Sequence, residues 1–202
     1  MTIINSIEKL RNGKVRIVFN SDSIVELLMD SILEYNIIEG LSITNKKWDE
    51  ICKASRNRLA IREALKFLAK KRRTTGELEE CLQKSFSNAE IFYALERMRD
   101  LKYLDDESWA FDYQKSYKAR GKSKKYLANE FKKKNIPTDI QKKTLDIHDD
   151  EVEALWIAHR KVKSLNNLPI NKQKVKLHTY LQRRGFNNEL VTSIAHQLIN
   201  EN

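Results

Sequence analysis

Two acidic clusters, Asp105-Asp106-Glu107 and Asp149-Asp150-Glu151, are the residues whose spacing first suggests chemistry. Paired carboxylates can hold a divalent cation or divide general acid and base work between them. That chemistry needs further ligands or a partnered nucleophile, and no third carboxylate or histidine sits at ligand spacing around Asp105 and Asp106. Both clusters read better as helix starts, with Asp105 and Asp149 as caps and the following acids favourable to the helix dipole. His148, His159, His178 and His196 are scattered, and surface or helix-end roles suit them better than catalysis without a nucleophile. Cys52 and Cys81 show no metal-type or CxxC spacing and point to a reducing compartment. No Walker loop, GxGxxG or GxSxG is present. A hydrolase or nuclease would need a metal-dependent activity lost on changing Asp105 and Asp106. The reading is therefore a protein that is not an enzyme, with no catalytic residue, metal or cofactor.

Positive charge is the stronger signal. The 202 residues carry a net charge of +10. Residues 1–50 hold 6 basic and 8 acidic side chains, whereas residues 51–202 hold 32 and 20. The second part is thus the candidate for a polyanion, most simply nucleic acid. The bland reading is a lysine-rich surface kept for solubility. Lys115, Lys118, Arg120, Lys122, Lys124, Lys125, Lys132, Lys133 and Lys134 face one acid, Glu130, within 20 residues. Gly121 breaks that stretch into a helix end, a loop and a helix start, an arrangement that can follow a phosphate backbone. Tyr117 and Tyr126 lie within it and could stack on bases, although their apolar spacing favours core packing. Lys71, Arg72 and Arg73 end another helix, and Arg183 and Arg184 sit at a later turn.

Helices must position these side chains. Glycine and proline are scarce (5 and 2) and 33% of residues are charged, which suits long solvated helices. A unit recurs three times. Leu78, Leu127 and Leu177 align, followed four residues later by Leu82, Phe131 and Leu181. Ile91, Ile140 and Leu190 come next, then Leu95, Thr144 and Ile194. Each copy predicts helix, turn and helix, with i, i+4 apolar residues on one face. Phe86, Ile136 or Phe186 occupies the turn. Gly185 fits just past a helix end, Asn187 can cap the next helix, and Ser87 with Glu90 forms a capping box. Pro137 suits a first helical turn.

Residues 1–45 differ. Runs from Ile3 to Leu10 and from Val15 to Asn20 predict a hairpin turning at Asn12-Gly13. Asp22 or Ser23 is expected to cap a helix through Val25, Leu28, Met29, Ile32 and Leu33, and Leu41 to Ile43 to form a third short strand. A helix from about Asn45 follows. Trp109, Ala110, Tyr113 and Tyr117 form the inner stripe of a later helix, and Trp156 is expected in the core. Ser164 to Asn171 reads as a loop. There is no signal peptide and no apolar run near the ~20 residues that span a membrane, so a cytoplasmic protein is expected.

Four stretches together resemble the RecX family, regulators of the bacterial recombinase RecA. They are the run from Ala64 to Leu82, the sequence Tyr-Leu-Asp-Asp-Glu-Ser-Trp-Ala from Tyr103 to Ala110, the segment Leu127 to Pro137, and Leu-Gln-Arg-Arg-Gly-Phe from Leu181 to Phe186. Lys84-Ser85-Phe86 lacks the glycine usual in the family. The resemblance implies a mainly α fold: three tandem three-helix repeats in an elongated, curved array, here at 58–103, 104–148 and 149–202, after a small mixed extension at 1–57. It implies a monomer that binds the RecA–single-stranded DNA filament along its groove, with double-stranded DNA a further candidate, and that lowers ATPase and strand exchange. The residues expected to touch DNA phosphate or acidic RecA surface are Lys71, Arg72, Arg73, Lys115, Lys118, Arg120, Lys122, Lys124, Lys125, Lys132, Lys133, Arg183 and Arg184. The rival reading is an independent helix-turn-helix DNA-binding regulator, with sequence preference and usually a dimer.

Overall fold

The computed structural model describes residues 2–21, 23–118 and 120–200, and of Asn12, Lys118 and Asn200 the backbone alone. It is mainly helical with a small strand region at the N-terminus. The chain forms two compact units, one of residues 1–73 and 77–104, the other of residues 74–76 and 105–202.

The first unit opens with β1 (Thr2–Lys9), β2 (Lys14–Phe19) and β3 (Ile24–Leu28), then α1 (Met29–Glu34) and β4 (Ser42–Ile43). The sheet order is β3-β2-β1-β4, antiparallel throughout. Strict alternation sets β2: Val15, Ile17 and Phe19 face the core while Lys14, Arg16 and Val18 face away. A single helical turn at Arg11–Gly13 joins β1 to β2, and Gly13 takes φ +68 there.

β3 corrects the sequence reading, which placed one helix across Val25 to Leu33. Val25 pairs with Ile17 and Leu27 with Val15, so the outer edge of β2 gains a partner and Leu27 is buried. Strand pairing wins because it covers an edge and buries apolar area together. Only Met29–Glu34 is left for the helix. Ser23 therefore caps nothing, and Asp22 lies outside the described residues.

α2 (Asn45–Lys70) runs unbroken for 26 residues, so the expected boundary at 57/58 falls inside it. Thr44 caps it, accepting from the Lys47 amide at 3.4 Å. Its first half packs Trp48, Ile51 and Cys52 against the sheet, with Phe19 and Trp48 edge to face at 4.7 Å. Its second half places Ala60 and Ala64 against α3 (Thr75–Leu82) and α4 (Asn88–Asp100), burying Leu78, Leu82, Ile91, Leu95 and Met98. Ser87 and Glu90 do form the capping box of α4.

The second unit holds α5 (Asp106–Lys118), α6 (Lys124–Lys133), α7 (Thr138–Asp146), α8 (Asp150–Val162), α9 (Ile170–Gln182) and α10 (Asn188–Asn200). Ala110, Phe131 and Ile136 form one core, flanked by Trp109, Tyr113, Ile140 and Leu145. Ala154, Ile157, Leu177, Leu181, Phe186, Val191 and Ile194 belong to another. Pro137 and Pro169 stand at the N-caps of α7 and α9, so the second proline starts a helix inside the expected loop. Trp156 is not core: it is 44% exposed, and Arg160 lies over its ring at 4.8 Å. The α8 positions that turn inward are Ala154, Ile157 and Ala158.

Candidate nucleic-acid interface

The basic stretch of residues 115–134 is shaped by the turn between α5 and α6. Gly121 takes φ +60, and a Cβ there would meet Ile157 Cβ at 2.8 Å, so the turn needs glycine for both conformation and space. Ser123 then caps α6, its Oγ accepting from the Tyr126 amide at 3.1 Å. Three bonds from other elements pin the turn. The Lys124 amide donates to Asp150 Oδ1 at 2.6 Å, the Ser123 amide donates to the Arg184 carbonyl at 3.1 Å, and His148 Nε2 lies 2.9 Å from the Lys122 carbonyl. Gly185, at φ +90, closes the contact, since a Cβ there would stand 2.5 Å from Ser123 Oγ. Arg183 and Arg184 are thereby brought beside Lys122, Lys124 and Lys125.

His148 belongs to this joint rather than to the surface, being 4% exposed. Its position beside Asp150 Oδ1, at 3.4 Å, is set by packing between helices, which local spacing does not show.

Beside the turn runs an aromatic stack. Trp109 stacks on Tyr113 at 4.5 Å, Tyr113 on Tyr117 at 4.5 Å, and Tyr117 on Tyr126 at 5.6 Å. The first three rings follow the i, i+4 spacing of α5, and the fourth comes from the start of α6. All four are half-buried: Trp109 and Tyr113 pack against the core as the inner-stripe reading expected, and Tyr117 and Tyr126 lie between the core and base-stacking roles weighed for them. The Tyr113 hydroxyl donates to Glu130 Oε2 at 3.0 Å. Burial, with these hydroxyl and carboxylate neighbours, pushes the Tyr113 phenol well up, so it stays a neutral donor. The hydrogen bond from Lys133 holds Glu130 below the usual carboxylate range.

The expected contact residues sort by what they already touch. Lys133 is tied to Glu130 at 2.8 Å and Lys71 to Glu77 at 3.7 Å. Rings hold four others: Arg73 over Phe67 (5.5 Å), Arg120 over Tyr117 (5.1 Å), Lys122 over Tyr126 (4.1 Å) and Arg184 over Tyr180 (3.8 Å). Arg72 is exposed at the end of α2. The Lys118 side chain lies outside the described residues. Among the described residues the side chains of Lys115, Lys124, Lys125, Lys132 and Arg183 have no acidic partner. Lys125 and Arg183 line one groove of about 310 Å³ with Tyr126, Asn129, Gln182 and Phe186. Sequence reasoning missed Asn129 and Gln182, which no periodicity marks, and Tyr180 with Lys161 over it at 5.3 Å.

The acidic clusters divide their work. Asp105 caps its own helix at the Ser108 amide (2.8 Å), and Asp149 caps its own at Glu151 (2.9 Å) and Val152 (3.3 Å). The second acid of each pair reaches another helix: Asp106 accepts from the Thr75 amide at 2.8 Å, as Asp150 does from Lys124. Among the described residues no three His, Cys, Asp or Glu side chains gather to hold a metal ion, and no helix is long and apolar enough to cross a membrane.

No protein-family model matches the chain. The regulatory protein RecX of Bacillus subtilis is 26% identical over 178 residues, spanning 86% of this chain and 67% of that protein. Its counterpart in Prosthecochloris aestuarii is 30% identical over 147 residues, 72% of this chain and 97% of that one. Two solved structures share the fold. A crystal structure of regulatory protein RecX superposes over both whole chains with a TM-score of 0.66 at 17% identity. RecX from Lactobacillus salivarius gives 0.61 at 19% identity, over 72% of this chain and 97% of that one. The helices, the N-terminal strands and these relatives agree: the chain belongs to the RecX family of regulatory proteins.

Proposed function

We propose that the chain is a non-enzymatic modulator, typically an inhibitor, of the RecA recombinase. It binds the RecA–single-stranded DNA filament along its groove and reduces ATPase and strand exchange. The relatives carry a regulatory name, and the family resemblance supplies RecA as the partner. The observation that carries the reading is the pinned α5–α6 turn. It holds Lys124, Lys125 and Arg183, whose side chains have no acidic partners among the described residues, next to a stack of four rings. Charge kept for solubility needs no such fixing, whereas a polyanion backbone is met best by cations already in place.

On this reading α2 to α10 are three successive three-helix units, divided as 58–103, 104–148 and 149–202, and the protein works as a cytoplasmic monomer. Lys115, Lys122, Lys124, Lys125, Lys132, Arg183 and Arg184 carry the main contacts to phosphate or acidic RecA surface. Lys71, Arg72, Arg73, Lys118, Arg120 and Lys133 contribute less. Filaments assembled on dye-labelled single strands test this. Changing Lys122, Lys124 and Lys125 together to Glu should weaken binding at least about ten-fold and flatten the logarithmic salt slope by about two. An unchanged affinity and slope would reduce the turn to a solvated face.

A further inference from the structure

We propose that the groove between α6 and the α9–α10 turn is a subsite for one unstacked nucleotide, so that this surface distinguishes single strands with bases from bare backbone. The inference rests on the nucleic-acid reading above and adds to it where a base is held. The groove is about 310 Å³ and is lined by Lys125, Tyr126, Asn129, Gln182, Arg183 and Phe186. Lys125 and Arg183 are exposed and without acidic partners among the described residues, which suits them to phosphate. Asn129 is exposed one helical turn beyond Lys125 and offers an amide to a base edge. Gln182 donates through Nε2 to Asn188 at 3.0 Å, which leaves its amide oxygen to accept. The Tyr126 ring is covered by Lys122 at 4.1 Å, a flexible side chain that can leave the ring for a phosphate when a base arrives.

An internal comparison favours a built site over a chance hollow. The start of α3 meets Lys134 and Asn135 much as the start of α6 meets Arg184 and Gly185. At the positions 49 residues earlier, Gly76 stands for Lys125, Glu77 for Tyr126 and Glu80 for Asn129. The same joint there carries no cation, ring or amide at those places, so the packing of the joint does not require them.

Two labelled oligomers of about twelve nucleotides test the subsite, one of oligo-dT and one abasic with the same backbone. The wild-type chain should prefer the oligomer with bases by about ten-fold, the effect of stacking and pairing one base. Tyr126→Leu should bring that ratio near one while leaving the salt slope unchanged. Asn129→Leu, at an exposed helix position, fills the groove while keeping all four rings and should do the same even if the tyrosine variant folds poorly. Glu80→Gln should leave the ratio as it was. Equal wild-type affinity for both oligomers would overturn the subsite and leave the nucleic-acid reading standing. No binding of either by the wild type would overturn both.

Discussion

Where the start of α3 meets the end of α6, the side chain that is missing belongs to the helix. A Cβ on Gly76 would stand 2.2 Å from Asn135 Cβ, and Asn135 makes the left-handed turn at φ +51. Where the start of α6 meets the end of α9, the missing side chain belongs to the turn, at Gly185. The acid that caps the incoming helix is the same in both, Asp106 or Asp150, at 2.8 and 2.6 Å. Both joints thus close on an acid at hydrogen-bond distance, but only the second leaves room on the helix for a side chain at the place of Lys125. One frame closes both joints, and the choice of which partner gives up its Cβ decides which of them can carry the cation on which the proposed function rests.

The sharpest way to break this comparison is to restore the missing atom. Gly76→Ala should destabilise by about 2–4 kcal/mol, because backbone and side chain of Asn135 both stand in the way. Lys125→Ala, at the corresponding place, should stay within about 0.5 kcal/mol of wild type, because an exposed lysine leaves no cavity. Urea unfolding midpoints read both, and equal losses would show that the joints are not alternatives.

Next come the caps. Asp106→Ala and Asp150→Ala should each lose about 1–2 kcal/mol, the usual effect of an uncapped helix start. A loss at only one of them would mean that the shared acid is not what holds both joints.

For binding, Lys125→Gln should weaken filament affinity several-fold, and Lys133→Gln by less, since Lys133 already serves Glu130. The reverse order in a titration on labelled filaments would move the contact surface away from the second joint.

The smallest effect concerns acid. Glu130 is held below its usual range by Lys133, so its contribution is present above the unfolded value and is lost as pH falls through the folded one. Thermal melts of Glu130→Gln should therefore lie below wild type near neutrality and converge with it as pH falls, so that the variant shows less acid-induced destabilisation. An unchanged acid limb would remove Glu130 from the account.

Much of this frame is visible in the sequence. Leu78, Leu82, Leu127, Phe131, Leu177 and Leu181 recur at the right spacing and are all buried. Gly185, Ser87 with Glu90, and Asn187 act where turn chemistry puts them, Asn187 Oδ1 accepting from the Leu190 amide at 2.8 Å. What local patterns conceal is contact between distant segments. The apolar residues Val25, Leu27, Leu28, Met29 and Ile32 satisfy strand and helix templates alike, and only the free edge of β2 selects β3. Asp106 and Asp150 look like first-turn acids, yet their carboxylates serve helices that start 31 and 26 residues earlier. Trp109, Tyr113 and Tyr117 have a spacing that fits a core stripe and an open stack equally, and Tyr126 completes the stack from another helix. The positions of the expected cations could be read, but which of them an acid already holds could not.

The most direct measurement is the ATPase rate of the cognate RecA on single-stranded DNA as this chain is titrated in below one-to-one. A clear fall at substoichiometric amounts, absent without RecA and weakened by the Lys122, Lys124 and Lys125 charge reversal, is the expected result. An unchanged rate at excess protein, despite tight binding to the DNA, would contradict the filament account.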